Sequence, residues 1–415
     1  MNRERLLERF LQYVCIESTS DEETSDYPSS SGQLEMGRLL VTQLEQIGLA
    51  DIEQDQYGLI WATLPANCDH AVPTITLNAH LDTSPETPAV DVKPQIIEDY
   101  QGGDIVLSGA ADKVIRVAEC PELEEMIGRT LITTDGTTLL GGDDKAGIAI
   151  IMEAVSHLAE NPQILHGPVR VLFTCDEEIG RGVQHVDIDK LGSVAAYTLD
   201  GGGAGDIDVE TFSADLATVT VRGVNLHPSI AKDRMVNALR AAGSPLDQLP
   251  RDTLAPEVSD GRDGFLHPYS IEGGVAEVTI KIILRDFDTE KLAAQAELIR
   301  LAAQSVQESF PGSVLDLTVR KQYRNMADGL DSEPRAVELA HQAHQNLGFP
   351  VKLSSVRGGT DGSQLTELGL PTPNLSSGQH TPHSPLEWAC LDEMLEACQV
   401  VVETLRLWGE QQLAD

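Results

Sequence analysis

The spacing of apolar and polar positions changes character twice along the chain. Residues 3–15 place Leu6, Leu7, Phe10, Leu11 and Val14 at helical intervals, and 34–47 repeat apolar residues every three or four positions. Short apolar runs at 58–64, 73–80 (PTITLNAH), 168–175 (PVRVLFTC) and 194–200 (VAAYTLD) read as strands, with a strong helix at 145–160 between them. Apolar strands separated by helices predict an α/β fold with a mostly parallel sheet and helices on both faces. A polar segment at about 84–128, containing Pro and Gly, predicts excursions at the sheet edge. After Asp200 the pattern becomes alternating: 216–222 (LATVTVR), 274–285 (GVAEVTIKIILR) and 314 onward predict strands, and 229–242 and 289–307 predict helices. This strand–helix–strand–strand–helix–strand tendency predicts an antiparallel α+β domain inserted at 212–325. The alternation QLTEL…PTPNLS then returns the chain to the first domain, which comprises 1–211 and 326–415 and closes with a helix at 390–408.

Acidic and histidine residues gather just past the apolar strands. They are His80 and Asp82 in NAHLD, Asp143 and Asp144 in GGDDKAG, Glu177 and Glu178 in CDEE, Asp200 in YTLDGGG, and His383 in HSPLEW. Loops at the carboxyl ends of parallel strands share one edge, so these residues converge despite their separation in sequence. Each signal has a plainer reading by itself. Asp143 and Asp144 suit a helix cap, Asp200 before three glycines suits a turn, and His380 rivals His383. Glu177 and Glu178 are different, because adjacent carboxylates at the end of a buried strand repel each other unless cations neutralise them. One of the two would be a ligand and its neighbour a general base. Together the residues point to a hydrolase holding two divalent metals.

Composition narrows the alternatives. A chain of 415 residues exceeds one ordinary core, which agrees with two domains. No stretch reaches the roughly 18 unbroken apolar residues of a membrane helix. The first residues lack the continuous apolar block of a secretion signal and predict a structural helix. Six cysteines without a CxxC pair read as reduced thiols of a cytoplasmic protein. Lys and Arg number 29 against 66 Asp and Glu, a net charge of −37 that opposes nucleic-acid binding. Neither GGGAG nor GGTDGS has dinucleotide or Walker spacing.

In this order the motifs resemble the M20 clan of metallopeptidases over essentially the whole chain, and within it the tripeptide aminopeptidases. Particularly specific are HLDTSP (80–85), PQIIEDYQGGDI (94–105), TLITTDGTTLLGGDDKAGIA (130–149), FTCDEEIGRG (173–182), YTLDGGGAGD (197–206) and RGGTDGSQL (357–365). The resemblance implies a zinc-peptidase-like sheet domain with an inserted lid, and two Zn2+ per subunit, with Co2+ or Mn2+ as substitutes. One metal would be held by His80, Asp143 and Asp200, and the other by Asp143, Glu178 and His383. Asp82 would orient His80, Glu177 would be the general base, and the Asp143–Asp144 peptide bond would be cis. His227, in His227-Pro228-Ser229, resembles the clan's lid histidine that stabilises the oxyanion. Arg285 and Arg357 are the candidates to grip a tripeptide's carboxylate. The implied partners are short peptides, chiefly tripeptides, and the lid's sheet edge could pair with a second copy to give a homodimer. Three positions depart from the clan's pattern: Gly142 stands where Ala is usual, Ser229 where Gly is usual, and GQHTPH replaces an aromatic-rich approach to the last ligand.

Overall fold

A computed structural model describes residues 1–411. It divides into two compact units, Met1–Val209 with Met326–Ser355 and the chain from Thr360 onward, and Glu210–Asn325 with Val356–Gly359. The first unit is built on an eleven-stranded sheet. Its centre is four parallel strands in the order Val169–Thr174, Ile75–His80, Ala195–Gly202 and Asn374–His380. Successive residues of Ile75–His80 are all buried, so both faces of the strand are covered. This is why these segments read as unbroken apolar runs rather than alternating ones. Antiparallel strands flank the centre, Ile60–Leu64 and Ala50–Gln54 on one side, and Trp388–Cys390, Leu131–Thr133 and Gln95–Ile97 on the other.

Helix Gly142–Glu160 is buried along most of its length, including Ile148, Ile151, Met152 and Val155. The first helix, Arg3–Val14, docks beside it through charge as well as apolar contact. Glu153, wholly buried, accepts from the Asn2 amide at 2.7 Å and from Arg5 Nε at 2.7 Å. Burial pulls the Lys145 pKa down to about 8, and its Nζ donates to Ile16 O at 2.7 Å.

The second unit is a four-stranded antiparallel sheet, ordered Phe265–Gly273, Glu277–Asp286, Ser213–Arg222 and Val314–Tyr323. Strand Glu277–Asp286 alternates between buried and more exposed positions, and its inward residues Val278, Ile280, Ile282 and Leu284 share a core with Ile299 and Val306 of helix Thr289–Ser309.

Three expectations need correction. The helix expected at 229–242 is instead a short 3-10 turn, Pro228–Ile230, followed by a helix at Ala238–Gln248. Val224 and Val236 exchange both backbone hydrogen bonds, at 2.8 and 3.1 Å, which holds the intervening chain out of helical form. Asn237 then starts the helix by accepting from the Leu239 amide at 2.9 Å. The alternation at QLTEL belongs to a helix, Asp361–Glu367, with the Thr360 amide donating to Ser363 Oγ at 3.2 Å. The segment 84–128 is more than an edge excursion: it adds Gln95–Ile97 to the main sheet and packs Tyr100, Ile105, Leu107 and Leu123 against Trp388. Strands Phe265–Gly273 and Asp206–Thr211 and helix Arg335–Leu347 were not anticipated. Among the described residues, no helix is long and apolar enough to cross a membrane.

Strands Ala195–Gly202 and Asn374–His380 meet closely at Gly201, where a Cβ would stand 2.8 Å from Leu375 O. Gly201→Ala is expected to destabilise the protein by about 1–3 kcal/mol through overpacking against backbone. A melting curve reads this, and an unchanged midpoint would mean that the strands can part without cost.

Candidate metal centre

All the candidate ligands except Asp143 are delivered by the end of a central strand or the turn after it, and Asp143 comes from the start of the long helix. His80 is the last residue of its strand, and Asp82 lies two beyond. Glu177 and Glu178 follow Val169–Thr174 in a 3-10 turn, and Asp200 lies near the end of Ala195–Gly202. His383 follows Asn374–His380. Asp143 and Asp144 have non-helical backbone angles ahead of the regular helix, and the peptide bond between them is cis.

The carboxylate of Asp143 stands between two imidazoles. Its Oδ1 is 3.0 Å from His80 Nε2, and its Oδ2 is 3.3 Å from His383 Nε2. Each histidine faces a second carboxylate with the same nitrogen. Asp200 Oδ1 is 3.8 Å from His80 Nε2, and Glu178 Oε2 is 3.0 Å from His383 Nε2. The ligand atoms of His80, Asp143 and Glu178 lie within 4.8 Å of one another, as do those of His80, Asp144 and Asp200. Asp144 is nonetheless a brace, because both its oxygens are engaged by backbone. They accept from the His80 amide and the Gly147 amide, each at 3.2 Å.

Four further groups hold the cluster in place. Asp82 is wholly buried and receives the Glu177 and Glu178 amides on its two oxygens, at 3.0 and 3.1 Å. His80 Nδ1 lies 3.1 Å from the Asp82 carbonyl and 3.4 Å from its carboxylate, so Asp82 fixes both the ring and the glutamate turn. Glu387, also buried, accepts from the amides of Leu140 (2.7 Å), Gly141 (2.8 Å) and Asp143 (3.2 Å), which pins the loop presenting Asp143. Asp200 is held by Gln379 Nε2, which donates to its carbonyl at 3.0 Å and its carboxylate at 3.3 Å. Its own amide donates to Asn374 Oδ1 at 3.0 Å.

Electrostatics show what the cluster lacks. Burial and the neighbouring Asp143 and Asp144 push the Asp200 carboxyl well above its ordinary range. Glu178 is raised to about 7 by burial and by Asp143. Glu177 is raised strongly, first by burial, with Asp361 and Glu178 adding to it. Burial pulls the His383 pKa down, but its hydrogen bonds to Asp143 and Glu178 outweigh this and push it up to about 11. His80 is driven up against burial in the same way by Asp143 and Asp82. Six carboxyl groups, Asp82, Asp143, Asp144, Glu177, Glu178 and Asp200, thus crowd around two imidazoles. Glu178 Oε1 is buried without a hydrogen-bond partner. A donor set of imidazole and carboxylate, crowded and short of positive charge, fits divalent cations.

Other candidates lie elsewhere. His380 is not at the cluster: its Nε2 is 2.7 Å from Glu393 and its ring stacks on Trp388 at 3.7 Å. His227, Arg285 and Arg357 belong to the second unit. There Arg357 donates to Gly261 O and to Ser259 Oγ, both at 2.9 Å, and Arg285 donates to Arg357 O at 3.3 Å. Both guanidinium groups lie over Phe265. Glu387, Gln379, Asn374 and Asp361 were missed as site residues. Nothing in the local pattern marks Glu387 as an acceptor of three amides. Asp361 is buried with Oδ1 unpartnered, accepts from Thr174 Oγ1, and is raised to about 6 by burial.

The chain belongs to peptidase family M20/M25/M40, whose model matches residues 141–407, and it is a peptidase. At full length it is similar to Peptidase T of Geobacillus thermodenitrificans, 44% identical over 409 residues and covering 99% of each chain. Among solved structures it resembles aminopeptidase PepT from Bacillus cereus, with a TM-score of 0.74, 25% identity, and coverage of 99% of this chain and 100% of that one. The fold is also that of the Bacillus subtilis YXEP protein, described as a dinuclear metal-binding peptidase of the M20 family, with a TM-score of 0.64, 15% identity and 98% coverage of both chains.

Glu387→Gln removes an anionic acceptor from three amides of the Asp143 loop. The variant is expected to bind zinc about 10- to 100-fold more weakly in chelator competition. Unchanged affinity would show that the loop keeps its shape without that carboxylate.

Proposed function

We propose that this peptidase is a di-zinc aminopeptidase that releases the N-terminal residue from tripeptides. The observation that carries the reading is Asp143, whose two oxygens face different histidines, each beside a second carboxylate. His80, Asp143 and Asp200 would hold one cation, and Asp143, Glu178 and His383 the other. Zinc suits these donors, and cobalt or manganese would also fit. Bound there, two cations supply Lewis acidity and an acidified water.

Glu177 takes the proton of the attacking water and passes it to the leaving amine nitrogen. Two features support this role. Its backbone is anchored through Asp82, and its carboxylate makes no hydrogen bond to protein among the described residues. His227 is assigned to the oxyanion. The Ser229 amide donates to His227 Nδ1 at 3.3 Å, which leaves the proton on Nε2, where it can be donated. Arg357 and Arg285 are assigned to the substrate carboxylate. Neither has a carboxylate within ion-pair distance among the described residues, in a chain of net charge −37, and Arg285 Nε is buried without a partner. The six cysteines, unlinked in the structure, support a reducing cytoplasmic setting.

Product analysis with an unblocked tripeptide and its N-acetylated form tests the reading. Release of the first residue from the unblocked peptide alone is expected, and cleavage of the acetylated form would replace it with a carboxypeptidase or deacylase. Glu177→Ala is expected to keep both metals and lose about 10²- to 10⁴-fold in turnover; loss of metal instead would make Glu177 a ligand. Cation binding must displace the protons that His80 and His383 hold in the metal-free protein, and below about pH 7 that of Glu178 too. Affinity is therefore expected to rise with pH, with proton release visible by calorimetry in buffers of different ionisation enthalpy.

A further inference from the structure

An enzyme that removes the first residue of a peptide must place a cationic α-ammonium beside its cations. That ammonium needs an anionic partner that is not already committed. Most carboxylates around the cluster are committed. Asp82 and Asp144 each take two backbone amides, and Glu387 takes three. Asp361 accepts from Thr174 Oγ1, and its unpartnered Oδ1 is buried. Asp143, Glu178 and Asp200 face the histidines, with side chains only 14%, 5% and 9% exposed. Glu177 is the assigned base.

Glu86 is the exception. Its side chain is 71% exposed, yet its Oε2 lies 3.4 Å from His383 Nδ1, on the side of the ring away from Asp143 and Glu178. The chain around it is firmly held. Ser84 and Thr87 are buried, the Glu86 amide donates to Ser84 Oγ at 3.3 Å, and Thr87 Oγ1 donates to His383 O at 2.7 Å. The backbone thus presents an anionic side chain at the rim of the cluster, and its Oε1 is unpartnered among the described residues. The contrast with His80 is informative: the carboxylate beside its Nδ1, Asp82, is wholly buried and saturated.

We propose that Glu86 binds the α-ammonium of the substrate and so restricts the enzyme to peptides with a free N-terminus. This rests on the aminopeptidase reading above. The ammonium would pair with the free oxygen of Glu86, a charge-assisted contact made by peptides with a free amine and denied to acylated ones. Such a contact discriminates because only a peptide with a free amine gains it.

The test measures binding to the metal-loaded full chain, with Glu177→Ala present to stop turnover. Calorimetry compares trialanine with propionyl-Ala-Ala, which differs only in lacking the α-amino group. The parent is expected to bind trialanine about 10- to 30-fold more tightly. Glu86→Gln is expected to remove that preference while keeping two metals, and Glu86→Asp to retain part of it. A preference that persists in Glu86→Gln would overturn the proposal, as would its absence in the parent. Equal weakening of both peptides, or loss of metal, would overturn it too and make Glu86 a positioning residue for His383. The aminopeptidase reading stands or falls separately, on whether the unsubstituted enzyme releases the first residue of trialanine.

Discussion

Desolvated negative charge is the constraint that organises this molecule. Asp143 spans two imidazoles, and Asp200 and Glu178 stand beside it in a site largely withdrawn from water. Burial first, and like-charged neighbours after it, push the carboxyls of Asp200 and Glu178 up. The arrangement persists because other groups are arranged to hold it. Backbone amides on Glu387, Asp144 and Asp82 fix the loops, and the histidines supply positive charge where cations would otherwise do so. A cluster of this kind stores its affinity for divalent ions in the cost of leaving it uncompensated.

The parallel sheet makes such crowding affordable to the fold. Strands buried on both faces supply a rigid base, their carboxyl ends and the turns beyond them carry His80, Asp82, Glu177, Glu178, Asp200 and His383, and the start of the long helix carries Asp143. The braces cross between elements far apart in the chain: Asp82 holds the glutamate turn, and Glu387 holds the loop before the long helix. Any shift of one strand would therefore be felt by ligands on several. The close approach of two strands at Gly201 belongs to the same economy, because it sets Asp200 against Gln379 and Asn374.

The second unit handles charge in the opposite way. Arg285 and Arg357 lie over phenylalanine rings and donate to carbonyls, and among the described residues no carboxylate pairs with either. In so acidic a chain, guanidinium groups kept clear of carboxylates are a specific arrangement rather than a statistical one. Aromatic faces orient them without neutralising them.

The sequence by itself marked the central strands, most of the long helices and a set of candidate ligands. Apolar runs and 3.6-residue spacing are local signals, and carboxylates placed after buried strands have few structural uses. Only the tertiary structure decided what each group touches. Asp82 lies two residues from His80, yet its main partners are the amides of Glu177 and Glu178. His383 and His380 are three residues apart, and packing sends one to Asp143 and the other to Glu393. The helix after Pro228 begins late because Val236 pairs with Val224, a bond that no helical periodicity reveals. Glu387 and Glu86 carry no mark in their neighbourhoods, since their roles come from hydrogen bonds across hundreds of residues. Periodicity reports which face of an element is buried, whereas the partner of a buried polar group is fixed only when remote segments are packed together.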